Sequence, residues 1–421
     1  MAAGNNASTV ASQLEYVRGE LEEPFLTSSI LWSRIEARTD IKPVSSRPSR
    51  IPTVPLPPAA FRQAGVDGQG LGRGQGAQEV YGTLSCVYFS AAIEYTAQTE
   101  YATDSNEKAI KDYVALTTEL NTRQMAGFMD ALVATSDGSN TLDTVVSAGA
   151  TSLIVNNPNA FSNQQNIDIY SSLTGAAGFV ATVQINTVDT TNSELWLTGP
   201  VPAGVTAGYF LVVNGSAGLP NSGLFGLPAY QVGGNAGTWM NLLRSSFPDQ
   251  FSARNIPANG ALTPAIVRAL LNQIILAKGE AAAESDDLVI HLNVDMDAAW
   301  EDNALLVQRI DIASGRRKES DDMLAKKSSS TMAGYEKIVN PRAIPGRIDF
   351  LALKKWGRLE AKPLDLYEVD GQTTFPAYAA DGSIATSNMS WLLLGCQVGS
   401  WLPRINAYIS NVTIPKNYFG H

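Results

Sequence analysis

The sequence predicts an α+β fold with an all-β barrel or sandwich inserted into its main chain path, and three observations carry that prediction. Asp104 to Ala134 has the periodicity of one long amphipathic helix. Six short strand candidates, spaced by Gly, Asn, Pro and Asp turns, fill residues 141–214. Beyond residue 260, helical and extended patterns alternate.

At 100° per residue, Ile110, Tyr113, Val114, Thr117, Leu120, Met125, Phe128, Ala131 and Leu132 fall on one face of the helix. Lys111, Asp112, Glu119, Arg123 and Asp130 fall outside it. Asp104 can cap the first turn with Glu107 as its reciprocal partner, and Thr135-Ser136-Asp137-Gly138 supplies a stop. A helix of roughly 31 residues is about 45 Å long, well beyond the usual globular length. It needs an equally long partner surface. Val80–Thr96, rich in aromatic and β-branched residues, reads as a strand or hairpin arm that can supply one. A coiled coil competes with this helix-on-sheet reading, but the stripe is too short for many heptads and is not built of Leu.

A chain of 421 residues has room for two or three domains. Charged residues make up 17%, below the usual quarter or so, so something other than charge covers part of the surface. With 35 Gly and 21 Pro, the composition favours extended arms and faces covered by neighbouring chains. The net charge of -10 argues against a nucleic-acid reader, whose affinity comes from Lys and Arg releasing counterions. Cys86 and Cys396 are too few and too far apart for a zinc site or disulfide framework, which favours a reduced cytoplasmic origin. The first residues lack an apolar signal core, and no run approaches a membrane span.

Residues 8–21 read as a short helix, followed by Phe25, Ile30, Leu31, Trp32 and Ile35, which a terminal arm cannot bury by itself. Six prolines between Pro43 and Pro58 hold the backbone extended and forbid both helix and central strand. Glycines at 65, 68, 70, 72, 74 and 76 follow, so residues 43–79 form an arm with a flexible tip.

In the inserted stretch the strand candidates are TLDTVV, TSLIVNN, NIDIYSSL, FVATVQINTV, ELWLTG and YFLVVNG, and the only charges are Asp143, Asp168, Asp189 and Glu194. Residues 215–260 read as loop-rich, with a short helix around Trp239–Ser245. Thr263-Pro264 opens a helix, the hydroxyl capping and the proline in the first turn. A strand is expected over 287–293, a helix over 295–310 with Asp295 and Asp297 at its positive end, a polar loop over 311–334, and strands over 346–354, 358–369 and 391–414.

Little of this points to catalysis. The glycine ladder looks like a phosphate loop, but no Lys-Ser/Thr follows it and it does not join a strand to a helix. His291 lies in a strand without a Gly-x-Ser-x-Gly elbow, and reads as a satisfied structural histidine. Asp295, Asp297, Glu301 and Asp302 could recruit a divalent cation, but helix capping and the helix dipole explain most of them. Asp137-Gly138-Ser139-Asn140 is too short for a calcium loop. No catalytic, cofactor or metal residue is assigned.

The order of parts, an arm, a Pro- and Gly-bearing extended loop, a strand, a spine helix and a later α/β region ending in long strands, resembles the tailed-bacteriophage major capsid protein, the HK-ninety-seven-type fold. Pro345-Gly346-Arg347-Ile348-Asp349-Phe350-Leu351 looks like the family's Pro-Gly turn and central strand, and Trp391–Ile414 like its return strand. The resemblance implies an N-arm (1–42), an extended loop (43–85), a peripheral domain (86–140 and 355–400) with the spine helix at 104–134, an inserted β domain (141–214), and an axial domain (215–354 and 401–421). It implies a non-enzymatic shell protein forming hexamers and pentamers around double-stranded DNA that it does not read. Scaffolding, portal and cement or decoration proteins would be partners, and the virion its location after assembly in the host cytoplasm. Phe25, Leu31, Trp32, Pro52, Pro55, Pro57, Phe61, Arg62 and Arg73 are the expected inter-subunit contacts.

Some members weld their shells through a lysine in the extended loop, but no Lys occurs here between Lys42 and Lys108. Reinforcement is therefore expected to be non-covalent. The N-terminus is too short for a fused scaffolding domain unless a leader has been removed, so a separate scaffolding protein is expected. An encapsulin-like nanocompartment shares the fold but usually in a shorter chain. A β-rich surface or adhesion protein would need the signal peptide this sequence lacks.

Overall fold

The computed structural model describes residues 25, 27–38, 48–56, 78–96, 107–278, 287–301, 331–378 and 384–414. Ser49–Leu56 (β1) and Gln78–Leu84 (β2) form an antiparallel ribbon that joins no larger sheet among the described residues. Pro52 and Pro55 suit that place, because a residue without an N–H is tolerated where a strand edge has no partner. The stretch expected over Val80–Thr96 is two strands. After Ser85 and Cys86 the chain enters Val87–Thr96 (β3), which belongs to a different sheet.

The spine helix is present as Glu107–Thr135 (α1); its expected cap Asp104 lies outside the described residues. Met125, Ala131 and Leu132 are buried as the periodicity predicts, and half-buried Phe128 meets Phe89 of β3 edge-on at 5.7 Å. Leu120, placed on the inner face by the same periodicity, is instead 50% exposed, while Thr118 and Thr122 are fully buried. Thr122 Oγ1 donates to the Thr118 carbonyl at 2.8 Å, so that hydroxyl needs no outside partner and can turn inward.

Asp130 corrects the reading of both the helix and the arm. Expected on the polar face, it is fully buried, and its carboxylate accepts the backbone N–H groups of Ile30 (2.5 Å), Leu31 (3.0 Å) and Trp32 (2.8 Å). Burial pushes this carboxyl above its ordinary range, with the three N–H groups pulling the other way. Arg358 holds the same turn from its far side, with Nη1 donating to the Trp32 carbonyl at 3.1 Å and the guanidinium 5.3 Å from the centre of the indole ring. Phe25, Leu31, Trp32 and Ile35, expected to need a neighbour, are thus buried within their own chain. A buried carboxylate that receives a turn's orphan N–H groups fixes the arm, and the apolar side chains follow it inward.

Thr141–Ala148 (β4), Ser152–Val155 (β5), Asn166–Tyr170 (β6), Phe179–Asp189 (β7), Glu194–Leu197 (β8) and Phe210–Val213 (β9) close a barrel in the order β4-β5-β8-β7-β6-β9. All six expected strands are there. Alternate side chains such as Leu153, Val155, Leu195 and Leu197 fill the interior, as the two-residue period requires. Asp168 accepts from Thr182 Oγ1, Asn214 Nδ2 and Gly215 N at 2.6–2.9 Å, pinning the chain as it leaves the barrel. At the neck, Asn140 takes a left-handed φ of 62° and accepts the Leu224 N–H at 2.7 Å, so entry and exit lie side by side.

Thr238–Trp239 (β10) and Leu242–Leu243 (β11) form a hairpin where a short helix was expected. Met240 and Asn241 both have positive φ, 47° and 66°, which makes a tight hairpin turn and excludes helix. The Met240 carbonyl accepts the Thr83 N–H at 2.9 Å and Asn241 Nδ2 donates to Thr83 Oγ1 at 2.8 Å, so the hairpin grips the base of the ribbon. Residues between Leu224 and Phe251 pack into the core shared by α1 and the barrel.

A second core surrounds a six-stranded mixed sheet. Its strands are Arg254–Gly260 (β12), Leu288–Leu292 (β13), Thr331–Met332 (β14), Tyr335–Val339 (β15), Ile348–Ala352 (β16) and, last in the chain, Ala407–Val412. Pro264–Lys278 (α2) contributes Val267, Leu270 and Ile274 to this core, and Thr263 Oγ1 accepts the Ile266 N–H at 3.4 Å as its cap. β12 and β15 were not expected. The RNIPANG of β12 has little β-propensity, and the strand exists because its backbone pairs in parallel with Ala407–Val412. β14 lies inside the expected polar loop; the rest of that loop, and the expected helix beyond residue 301, lie outside the described residues.

Trp356–Leu366 (β17), Phe375–Tyr378 (β18) and Ile384–Ser400 (β19) complete the first sheet, with β3 along one side of β19 and β17 and β18 along the other. The strand expected over 391–414 is two strands. Pro403 interrupts pairing, a 3-10 turn at Pro403–Ile405 follows, and Ala407–Val412 (β20) crosses into the second sheet.

His291 is buried in β13 between Asp349 (Nδ1 to Oδ2, 3.4 Å) and Asn340 (Nε2 to Nδ2, 3.2 Å), a satisfied structural histidine. Arg347 Nε donates to Asp349 at 2.6 Å. Burial pushes the Asp349 carboxyl up, but Arg347 and His291 outweigh it and leave it below the usual range.

Two outcomes are expected. Asp130→Ala strands three buried N–H groups and lowers stability by about 3 kcal/mol, with faster protease cleavage at Arg34 or Arg38, read by thermal melting and peptide mapping. A depressed carboxyl stabilises the fold above its unfolded value near 3.9, and that contribution is lost as pH falls through the folded value. Melting temperature against pH therefore shows an acid step below about pH 4 that Asp349→Asn lacks.

Candidate assembly interface

Both faces of the first sheet carry apolar side chains, and the open one also carries Ser90, Glu94 and Asp365 by register. Phe89, Ile93, Leu392, Leu394 and Cys396 point toward α1 and are buried. The opposite face carries Tyr88, 43% exposed, and Tyr367, 41% exposed, beside half-buried Met389, Trp391, Leu393 and Phe375. Tyr367, Phe375 and Trp391 form an aromatic cluster with ring centres 5.4–6.3 Å apart. Gly395 makes room for Tyr88 to lie across it, since a Cβ there would stand 2.5 Å from the ring. Exposed aromatic side chains clustered on a sheet face make it a candidate contact surface.

The ribbon adds a second surface. Its base is held by buried Ile51 and Leu84, while Pro52 and its register partner Tyr81, 54% exposed, point outward. Of the expected contact residues, Pro52 is therefore on an open surface and Pro55 lies in β1. Phe25, Leu31 and Trp32 are inside, and Pro57, Phe61, Arg62 and Arg73 lie outside the described residues. The sequence reading missed Tyr88, Tyr367, Trp391 and Leu393. For Trp391 and Leu393 the signal was the unbroken apolar run 391–394, where a half-exposed strand would alternate.

Of the four candidate acidic residues, Asp297 and Glu301 are paired and Asp302 lies outside the described residues. Lys337 pairs with Asp297 and, at 2.9 Å, with Glu301, and no group of three metal-capable side chains is found among the described residues. Cys86 and Cys396 are free thiols, and burial pushes both upward. No helix among the described residues is long and apolar enough to cross a membrane.

No protein-family model and no curated protein matches the sequence. Solved structures do match the fold. A chain of the cyanophage A-1(L) capsid aligns over 91% of this chain and 93% of its own, with a TM-score of 0.53 and 12% identity. The chain has the phage capsid fold. Gordonia phage Cozz (91% and 86% covered, TM-score 0.44, 8% identity) and the SrpI encapsulin of Synechococcus elongatus (92% and 88%, 0.44, 10%) are more distant matches. On the open sheet face this chain leaves aromatic side chains uncovered.

Leu393→Arg tests that face. The half-buried side chain can lift its charge to water, so the variant should fold with a melting temperature within a few degrees of the parent. Size-exclusion chromatography should then show smaller species for the variant than for the parent.

Proposed function

We propose that this chain is the major capsid protein of a tailed phage, self-assembling as hexamers and pentamers into an icosahedral shell around double-stranded DNA. The observation that carries the reading is a capsid fold with an aromatic cluster on an open sheet face and an extended ribbon. Residues 1–42 serve as N-arm and 43–85 as extended loop. Residues 86–140 with 355–400 serve as peripheral domain, 141–214 as inserted barrel, and 215–354 with 401–421 as axial domain. The role is structural rather than enzymatic, and the net charge of -10 suits a wall that encloses DNA without adhering to it. Scaffolding, portal and cement or decoration proteins are the proposed partners. The host cytoplasm is the site of assembly and the virion the destination.

Negative-stain images of the expressed protein should show closed shells or hexameric rings, and virions should yield this chain as their main band. Because the extended loop has no lysine between Lys42 and Lys108, boiled particles should run as monomers in SDS. Monodisperse monomers at high concentration would contradict the reading, and shells filled with protein in place of nuclease-protected DNA would favour a nanocompartment.

A further inference from the structure

The loop that follows β15 is held by side chains from three other places in the chain. Asn157 of the barrel donates through Nδ2 to the carbonyls of Arg342 (2.9 Å) and Ala343 (3.2 Å). Asn293, just past β13, donates to those of Pro341 (3.2 Å) and Ala343 (2.8 Å). Within the loop, Asn340 Oδ1 accepts the Arg342 N–H at 2.9 Å, and Asn340 Nδ2 lies 3.2 Å from Nε2 of His291. Asn157, Asn293 and Asn340 are all buried. Asn157 Oδ1 finds no hydrogen-bond partner among the described residues, so this side chain bears the cost of an unpaired buried oxygen while its NH2 group holds the loop.

The consequence falls on Arg342. Its N–H and its C=O are both fixed by amide side chains, so its own side chain leaves the loop in a set direction, onto α1. Gly127 makes room for it there, since a Cβ at 127 would stand 2.5 Å from the guanidinium. Three residues along α1 is Asp130, whose carboxylate the Arg342 charge helps to keep ionised against the effect of burial. That carboxylate holds the N–H groups of Ile30, Leu31 and Trp32, and hydrogen bonds to an ionised acceptor are the strong ones.

We infer that Arg342 relays the seating of the inserted barrel to the N-terminal turn, so that a barrel lifted off residues 340–343 loosens residues 30–32 from α1. With the barrel seated, the guanidinium stays over Gly127 and Asp130 holds the turn. When Asn157 withdraws, the Arg342 carbonyl loses that donor, the loop shifts, and the positive charge beside Asp130 shifts with it. Anything that pulls on the inserted domain then changes the hold on the arm without touching the arm. The relay is internal to one chain and does not rest on the shell reading.

Hydrogen exchange of the full chain tests this at both ends. Asn157→Ala should speed exchange of the amides of 30–32 at least about fivefold. Gly127→Ala substitutes neither barrel nor arm and introduces a better helix former, yet it should do the same, because its methyl group displaces the guanidinium. Coupling is reciprocal, so Gly127→Ala should also speed the amides of Asn157, bonded to Asp143, and Ala160, bonded to the Asn157 carbonyl. The double variant should exchange no faster at 30–32 than the faster single one, as groups acting in series do. Unchanged rates at 30–32 in either variant, or effects that multiply in the double, overturn the inference. Should Asn157→Ala open the barrel itself, seen as fast exchange at 167–169 and 195–197, Gly127→Ala alone decides, and an effect at one end without the other overturns the relay.

Discussion

A sheet with apolar side chains on both faces and one helix to cover them sets the terms for the rest of the molecule. β19 runs through the centre of that sheet, with one set of side chains against α1 and the other on the open face. At about 25 cal/mol per Å² of apolar surface, leaving such a face in water forgoes several kcal/mol per subunit. A shell can recover that energy many times over from modest contacts repeated by symmetry. Neither a catalytic site nor a nucleic-acid surface would call for this arrangement.

Polar groups as well as apolar ones hold the covered face. Asp130 gathers the N-terminal turn, Arg358 holds the same turn from below, and Met240 and Asn241 clamp the ribbon where it leaves the body. Asp130 and Arg358 are buried and matched to backbone atoms that would otherwise be orphaned. A firmly rooted ribbon loses less entropy on docking than one that must be ordered at the interface.

Much of this was legible in the sequence because it depends on local period. The barrel strands announce themselves by alternation between turn residues, and α1 by a repeat that holds from Met125 to Leu132. What was illegible depends on long-range pairing. Nothing near Asp130 says that its carboxylate meets residues some hundred positions earlier, so Trp32 looked like a contact for a neighbour. The hairpin at Met240 was hidden because two residues adopt positive φ without glycine. β12 was hidden because its partner is the last described strand of the chain. Pro52, expected from proline rigidity, is exposed on the ribbon, but Tyr88 and Leu393 needed knowledge of which sheet face α1 covers.

The central claim is that the open face of the first sheet is covered by other copies of the chain. Hydroxyl-radical footprinting of intact particles and of dissociated subunits measures this directly at Tyr88, Tyr367 and Trp391. The account predicts strong shielding of all three in particles, with Trp239, buried in both states, unchanged. Equal labelling of the three aromatic residues in particles and free subunits would contradict it.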